Sequence, residues 1–127
     1  MIVGTTKLKD ISISNDLTKE LLLQLSDRFG LYHYGVTNMF AHQTQVRNND
    51  INDTQSHNYF IVYASAHQFY YDYEFGMNRK VMEQIDGEKT VDDLYKLIGE
   101  FICKSKTLKM REELYNIAKD FNDRQVI

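Results

Sequence analysis

Asn58-Tyr59-Phe60-Ile61-Val62-Tyr63-Ala64-Ser65-Ala66-His67-Gln68-Phe69-Tyr70-Tyr71-Asp72-Tyr73-Glu74-Phe75 is the stretch on which the fold turns. It holds eight of the chain's sixteen aromatic side chains. In its second half Phe69, Tyr71, Tyr73 and Phe75 alternate with Gln68, Tyr70, Asp72 and Glu74. That period of two gives a strand one dry face and one wet face. The first half, Tyr59 to Ala64, is apolar at every position, as in a strand that is central or covered on both faces. Ala64 to His67 between them has hairpin length, without the Asn-Gly pair that marks the tightest turns. The alternation favours a sheet face packed on helices over an aromatic platform for stacked bases. Tyr70 and the other outward residues are left for a partner.

On the N-terminal side, residues 1–13 alternate weakly through Leu8, Ile11 and Ile13, as in a short strand or an extended lead-in. Asn15 or Asp16 is placed to cap a helix. Leu17, Leu21, Leu25 and Phe29 recur every fourth residue, and Gly30 stands where a left-handed C-terminal cap belongs. Tyr32, Tyr34, Val36 and Phe40 fit a further strand, interrupted by Gly35 and Asn38. Residues 47–58 are almost purely polar and rich in turn formers, which makes them a long loop inside a single domain of residues 1–127.

On the C-terminal side three helices are expected. Met77–Ile85 is the first, closed by Asp86-Gly87. Thr90–Ile102 is the second, with Thr90 and Asp93 spaced for a capping box and an apolar stripe from Val91 to Ile102. Thr107–Phe121 is the third, with Met110, Leu114, Ile117, Ala118 and Phe121 on one stripe. Val126 and Ile127 form an apolar tail. The fold class is therefore α+β: an N-terminal helix, a small antiparallel sheet with an aromatic hairpin, and a C-terminal three-helix unit in winged-helix order.

The bulk chemistry narrows the function. The net charge of −3 and isoelectric point near 5.8 supply no general attraction to nucleic acid or anionic membrane. The charges divide unevenly, with 5 basic and 8 acidic side chains in residues 1–75 and 10 of each in residues 76–127. A single cysteine excludes an intramolecular disulfide and a thiolate metal cluster. No apolar run reaches the ~20 residues of a membrane span or resembles a signal peptide, so a cytoplasmic setting is expected. The absence of proline and the wealth of Asn, Lys, Ile and Tyr suit an AT-rich coding genome, such as that of a low-GC bacterium or its phage.

Catalytic and metal-binding patterns are lacking. His33, His42, His57 and His67 form none of the paired spacings that hold zinc. Cys103 is expected as a buried, inert thiol near a helix C-terminus, where the dipole disfavours a thiolate. Asp92-Asp93 and Glu112-Glu113 are adjacent on helices, so each pair diverges by about 100° rather than converging on a substrate. With no phosphate loop or nucleophile elbow either, neither an enzyme nor a cofactor is indicated.

The run Asn78-Arg79-Lys80-Val81-Met82-Glu83-Gln84-Ile85-Asp86-Gly87-Glu88-Lys89-Thr90-Val91-Asp92-Asp93-Leu94 resembles the PqqD-like family, the peptide-binding recognition elements of ribosomal-peptide modification systems. There an Asn follows the last strand, an apolar helix leads to an Asp-Gly turn, and a Thr-Val pair opens the next helix. The resemblance spans residues 58–127, and residues 1–57 have no counterpart in it. It implies a winged-helix-like module that binds a precursor's leader peptide by strand addition. On this chain the peptide would pair with the backbone of Phe69, Tyr70, Tyr71, Asp72, Tyr73 and Glu74. It would pack on a helix face of Lys109, Glu112, Glu113 and Asn116.

Two other functions compete. One is a small phage or mobile-element protein that inhibits a host factor or sequesters a small ligand in an aromatic pocket. The other is a winged-helix DNA-binding regulator. Asp92, Asp93 and Glu100 against Lys96 alone make the middle helix a poor surface for phosphates. A peptide or protein partner is thus expected, nucleic acid is disfavoured, and an exposed strand edge would also serve to join two copies.

Overall fold

The aromatic stretch forms the hairpin expected of it, in unbroken register from Asn58 opposite Phe75 to Ser65 opposite Gln68. The computed structural model describes residues 1–37, 42–48 and 58–125. Along the chain these form α1 (Leu8–Ser12), α2 (Asn15–Phe29), β1 (Tyr32–Thr37), β2 (His42–Arg47), β3 (Asn58–Ser65), β4 (Gln68–Phe75), β5 (Asn78–Ile85) and α3 (Val91–Gln125). The five strands make one antiparallel meander in the order β1-β2-β3-β4-β5. The fold class is α+β.

The central hairpin turns on Ala66 and His67, both left-handed with φ of 50° and 62°. Two positive φ angles match the right-handed twist of the strands, but side chains other than Gly, Asn and Asp adopt them at a cost. His67 offsets that cost by donating from Nδ1 to the Ser12 carbonyl oxygen at 3.0 Å, which ties the turn to the end of α1. The next hairpin turns on Gly76, φ 62°, and the fully exposed Met77.

All the helices pack on one face of the sheet. α2 lies over β1 and β2, and α3 over β3 and β4. The core between them joins Leu21, Leu22 and Leu25 of α2, Phe60, Val62 and Phe69 of the sheet, and Leu94, Ile98 and Phe101 of α3. Phe69 and Phe75 are buried and Tyr71 and Tyr73 pack against that core, so the alternating face of β4 is the dry one. α2 starts one residue earlier than a cap at Asn15 would set it and two earlier than one at Asp16, since Ser14 is the cap and its Oγ accepts from the Leu17 N–H. It ends at Gly30, φ 64°, in the left-handed cap the sequence predicts.

Three expectations are corrected. Residues 8–12 form the short helix α1 instead of a strand or an extended lead-in. The predicted helix Met77–Ile85 is strand β5. The predicted helices Thr90–Ile102 and Thr107–Phe121 are one helix, α3. The three-helix unit and its winged-helix order are therefore absent among the described residues, and the apolar helix implied by the PqqD-like resemblance is a strand. The capping box is present: Asp93 Oδ2 accepts from the Thr90 N–H at 2.9 Å, and Thr90 Oγ1 accepts from the Asp93 N–H at 3.3 Å. A helix of 35 residues is roughly 52 Å long, about twice the ~27 Å of an eight-residue strand, so α3 overruns the sheet.

The N-terminal segment fastens the start of α3. Leu8 and Lys9 N–H groups donate to the Lys89 and Gly87 carbonyls, and Val91 and Asp92 N–H groups donate to Thr6 and Gly4. Glu88 joins the same clamp between Lys7 Nζ at 2.8 Å and Lys9 Nζ at 2.6 Å. Hydrogen bonds from the two ammonium groups, reinforced by their charge, hold its carboxyl down at about 2.

Two measurements check this account. A methyl group added at Gly99, inside α3, meets nothing within 4 Å. Gly99→Ala should therefore raise stability by about 0.5–1 kcal/mol in denaturant unfolding, and a loss would contradict the open space at that position. Glu88 is depressed by folding, so its contribution is present above the ordinary 4.5 and is lost as pH falls from there toward about 2. Thermal unfolding of Glu88→Gln should vary less than wild type across that window, and about 1 M NaCl should narrow the difference. Parallel curves would remove Glu88 from the clamp.

Candidate ligand groove between β5 and α3

β5 is one of the two outer strands of the sheet, the other being β1, and α3 packs mainly on β3 and β4. Asn78, Lys80, Glu83 and Ile85 pair with Phe75, Tyr73, Tyr71 and Phe69, and so share the helix-side face of the sheet. Of these four only Ile85 is buried. The space between α3 and this strand is a groove with a hollow at each end. One, about 240 Å³, lies at the Ile85 end beside Leu94 and Leu97, with Lys89, Lys96, Asp93 and Glu100 mixed around it. The other, about 350 Å³, lies at the Asn78 end.

The larger hollow has an aromatic floor and a cationic wall. Tyr73 and Phe75, with ring centroids 5.2 Å apart, line it and rest on Phe101 at 5.6 and 6.0 Å. Cys103, Lys104, Thr107, Leu108 and Arg111 come from one face of α3, because they follow one another at helical spacing. Lys104 Nζ stands 5.9 Å from the Tyr73 ring centre, close enough for a cation–π contact. Among the described residues, two cations and no carboxylate line this hollow. Among the described residues neither Lys104 nor Arg111 has an acidic partner.

Among the described residues the outer edge of β5 pairs with no strand, since the sheet ends there. A bulge divides that edge: Tyr71 faces Glu83 and Tyr73 faces Lys80, so β5 spends one residue more than β4. Met82 takes up the irregularity with φ of 56°. Asp72 holds the bulge by accepting from the Met82 N–H at 2.7 Å and from the Tyr63 hydroxyl at 3.1 Å. Burial, and then the Asp72 charge, push the Tyr63 hydroxyl up to about 12.

The residues predicted to bind a peptide fall in three places. Phe69, Tyr71 and Tyr73 belong to the helix-side core, with Tyr71 at 5.4 Å from the Phe101 ring. Tyr70, Asp72 and Glu74 point to the opposite face, where Tyr70 stacks on Tyr63 at 5.7 Å. Lys109 and Glu113 are exposed on the overrunning part of α3; Glu112 and Asn116 also belong to α3, but their side chains lie outside the described residues. The backbone of β4 has no free edge, because β3 and β5 flank it. Strand addition at Phe69–Glu74 is thereby corrected: among the described residues the outer edges belong to β1 and β5, and the helix face beside β5 is one to two turns earlier than expected.

Cys103 is exposed, not buried. It lies within a helix that continues to Gln125, so the expected C-terminal dipole does not act on it. Asn78, Lys104, Thr107, Leu108 and Arg111 were not among the predicted site residues. Their signal was the run from Lys104 to Arg111, which carries four cations and no acid. Of the histidines, His67 serves the hairpin turn, and burial lowers the affinity of His33 for a proton. His42 and His57 have side chains outside the described residues. Among the described residues no three His, Cys, Asp or Glu side chains gather as for a metal ion, and no helix is long and apolar enough to cross a membrane.

A further hollow of about 290 Å³ lies on the open face of the sheet, among Ile61, Tyr63, Tyr70, Asp72 and Met82. Its carboxylate is already engaged by Tyr63 and Met82, which makes this hollow a buttress of the bulge. Asp72→Ala should cost about 1–3 kcal/mol by leaving both donors without their charged acceptor, with Asp72→Asn losing less. Denaturant unfolding checks this, and an unchanged midpoint for Asp72→Ala would show that the bulge stands without its carboxylate. No protein-family model, no curated protein and no solved structure matches this chain.

Proposed function

We propose that the protein is a non-catalytic module that binds an extended peptide segment, added as a sixth strand along β5 and seated in the groove beneath α3. The observation that carries this reading is the coincidence of two features at one place. β5 presents an eight-residue edge with no strand beyond it among the described residues, and its helix-side face is exposed at Asn78 and Lys80 and covered at Ile85. An added strand gains main-chain hydrogen bonds from the edge, and its alternate side chains drop into hollows beside it. Lys80 on the helix-side face of the strand, together with Lys104 and Arg111 across the groove, favours an acidic segment. The bulge at Val81–Met82 confines pairing to two short lengths, one on either side of it. This also protects the edge against aggregation with its own copies.

A second reading rests on α3 itself. Met110, Leu114 and Ile117 keep 60%, 63% and 65% of their surface exposed on the overrunning half of the helix. That half would be the docking element of a protein that inhibits a host factor.

Amide hydrogen exchange on the full chain, with peptides selected against it from a random library, decides between them. Strand addition should slow exchange in residues 78–85. Protection confined to α3 beyond residue 108, or none at β5, would overturn it.

A further inference from the structure

We infer that the larger hollow selects a segment carrying an acidic side chain and an apolar side chain two positions apart. The inference rests on the peptide-binding reading above and names the chemistry of the segment. In an extended chain only residues i and i+2 point to the same side, so two side chains entering one hollow must have that spacing. The apolar side chain finds the Tyr73 and Phe75 rings, held at 5.2 Å from one another, and the Leu108 side chain. The carboxylate finds Lys104 and Arg111, which stand seven residues apart on one face of α3. Lys80, opposite Tyr73 in the register, stands on the same face of the sheet as that ring, outside the lining of the hollow. A volume of about 350 Å³ is at the lower end of what ligand sites enclose, enough for one flat or branched side chain and a neighbouring carboxylate. A basic partner is excluded by charge, and a purely apolar one would leave the cations facing an uncharged surface.

Cys103, the single cysteine, lines this hollow and is exposed, so its alkylation rate reports occupancy. The probe is 3-phenylpropionate, which joins an aromatic ring to a carboxylate and needs no backbone pairing. Its neutral counterpart is 3-phenylpropanamide, and N-ethylmaleimide is the uncharged alkylating agent. On the full chain, 3-phenylpropionate should slow alkylation in a saturable manner, with the amide about tenfold weaker. The double variant Lys104→Gln, Arg111→Gln should erase that difference. Both positions are exposed, and an unchanged unfolding midpoint establishes that the variant is folded.

Equal protection by acid and amide, or a difference that survives in the double variant, would overturn the inference. The peptide selection separates its failure from that of strand addition. Peptides that protect β5 without enriching an acid two positions from an apolar residue overturn the inference and leave strand addition standing. Protection of Cys103 by 3-phenylpropionate with β5 amides unprotected by every selected peptide overturns strand addition and leaves the chemistry of the hollow standing.

Discussion

Phe101 is the contact on which the architecture depends. Its ring meets Phe60 of β3 at 5.3 Å and Tyr71, Tyr73 and Phe75 of β4 at 5.4, 5.6 and 6.0 Å. One side chain from α3 therefore gathers four rings from the two central strands. Aromatic pairs at such separations add to the burial of apolar area. The same contact fixes where the helix crosses the sheet. Upstream of it, Val91, Leu94 and Ile98 are buried; beyond Leu108 the described side chains of α3 are exposed. The crossing point settles which part of α3 is scaffold and which part is surface.

The N-terminal third of the chain acts on the same helix from its other end. The backbone bonds from residues 4–9 to residues 87–92 fix the first turn of α3, and the Thr90–Asp93 box satisfies the amides that this turn leaves free. Arg28 of α2 lies 4.4 Å from the centre of the Tyr95 ring, and Phe29 meets the same ring edge-on at 5.9 Å. α3 is thus held at its start by the N-terminal segment and α2, and at Phe101 by the sheet. The overrunning half continues the same helix, and no glycine or proline occurs between Glu100 and Gln125 to break it.

How far the sequence disclosed this can be argued element by element. The hairpin was legible because the alternation from Gln68 to Phe75 is unbroken, and α2 because its leucines keep step from a cap to a left-handed glycine. β5 was not, for a physical reason. The bulge at Val81–Met82 shifts the phase of the alternation halfway along, and Lys80, Met82, Glu83 and Gln84 are good helix formers. What remains is Val81, Met82 and Ile85 at helical spacing, and only pairing with β4 overrides it. The break assigned between Ile102 and Thr107 has a different origin. The apolar stripe thins there because α3 reaches the margin of the sheet, where Ser105 bonds to Asn48 and Asn58 and Leu108 still packs on the core, not because the helix ends. Splitting α3 at that point separated Cys103 and Lys104 from Thr107, Leu108 and Arg111, which a continuous helix brings to one face. The groove was therefore invisible, although every residue of its wall was in view.

The groove itself follows from the count of elements. A helix with its side chains is about 10 Å across, and neighbouring strands are about 4.8 Å apart, so one helix covers about two strands. α2 and α3 together cover four of the five strands. The fifth must then present its helix-side face to solvent or to a ligand. Its sequence agrees, since Asn78, Lys80 and Glu83 stand on that face, whereas the facing positions of β4 are Phe75, Tyr73 and Tyr71. A strand added beyond β5 would meet the same uncovered step and would bury the polar face only if it brought matching charges. The cations at the Asn78 end set that requirement. An acidic side chain beside an apolar one satisfies both the exposed charges and the aromatic floor, and no single side chain does.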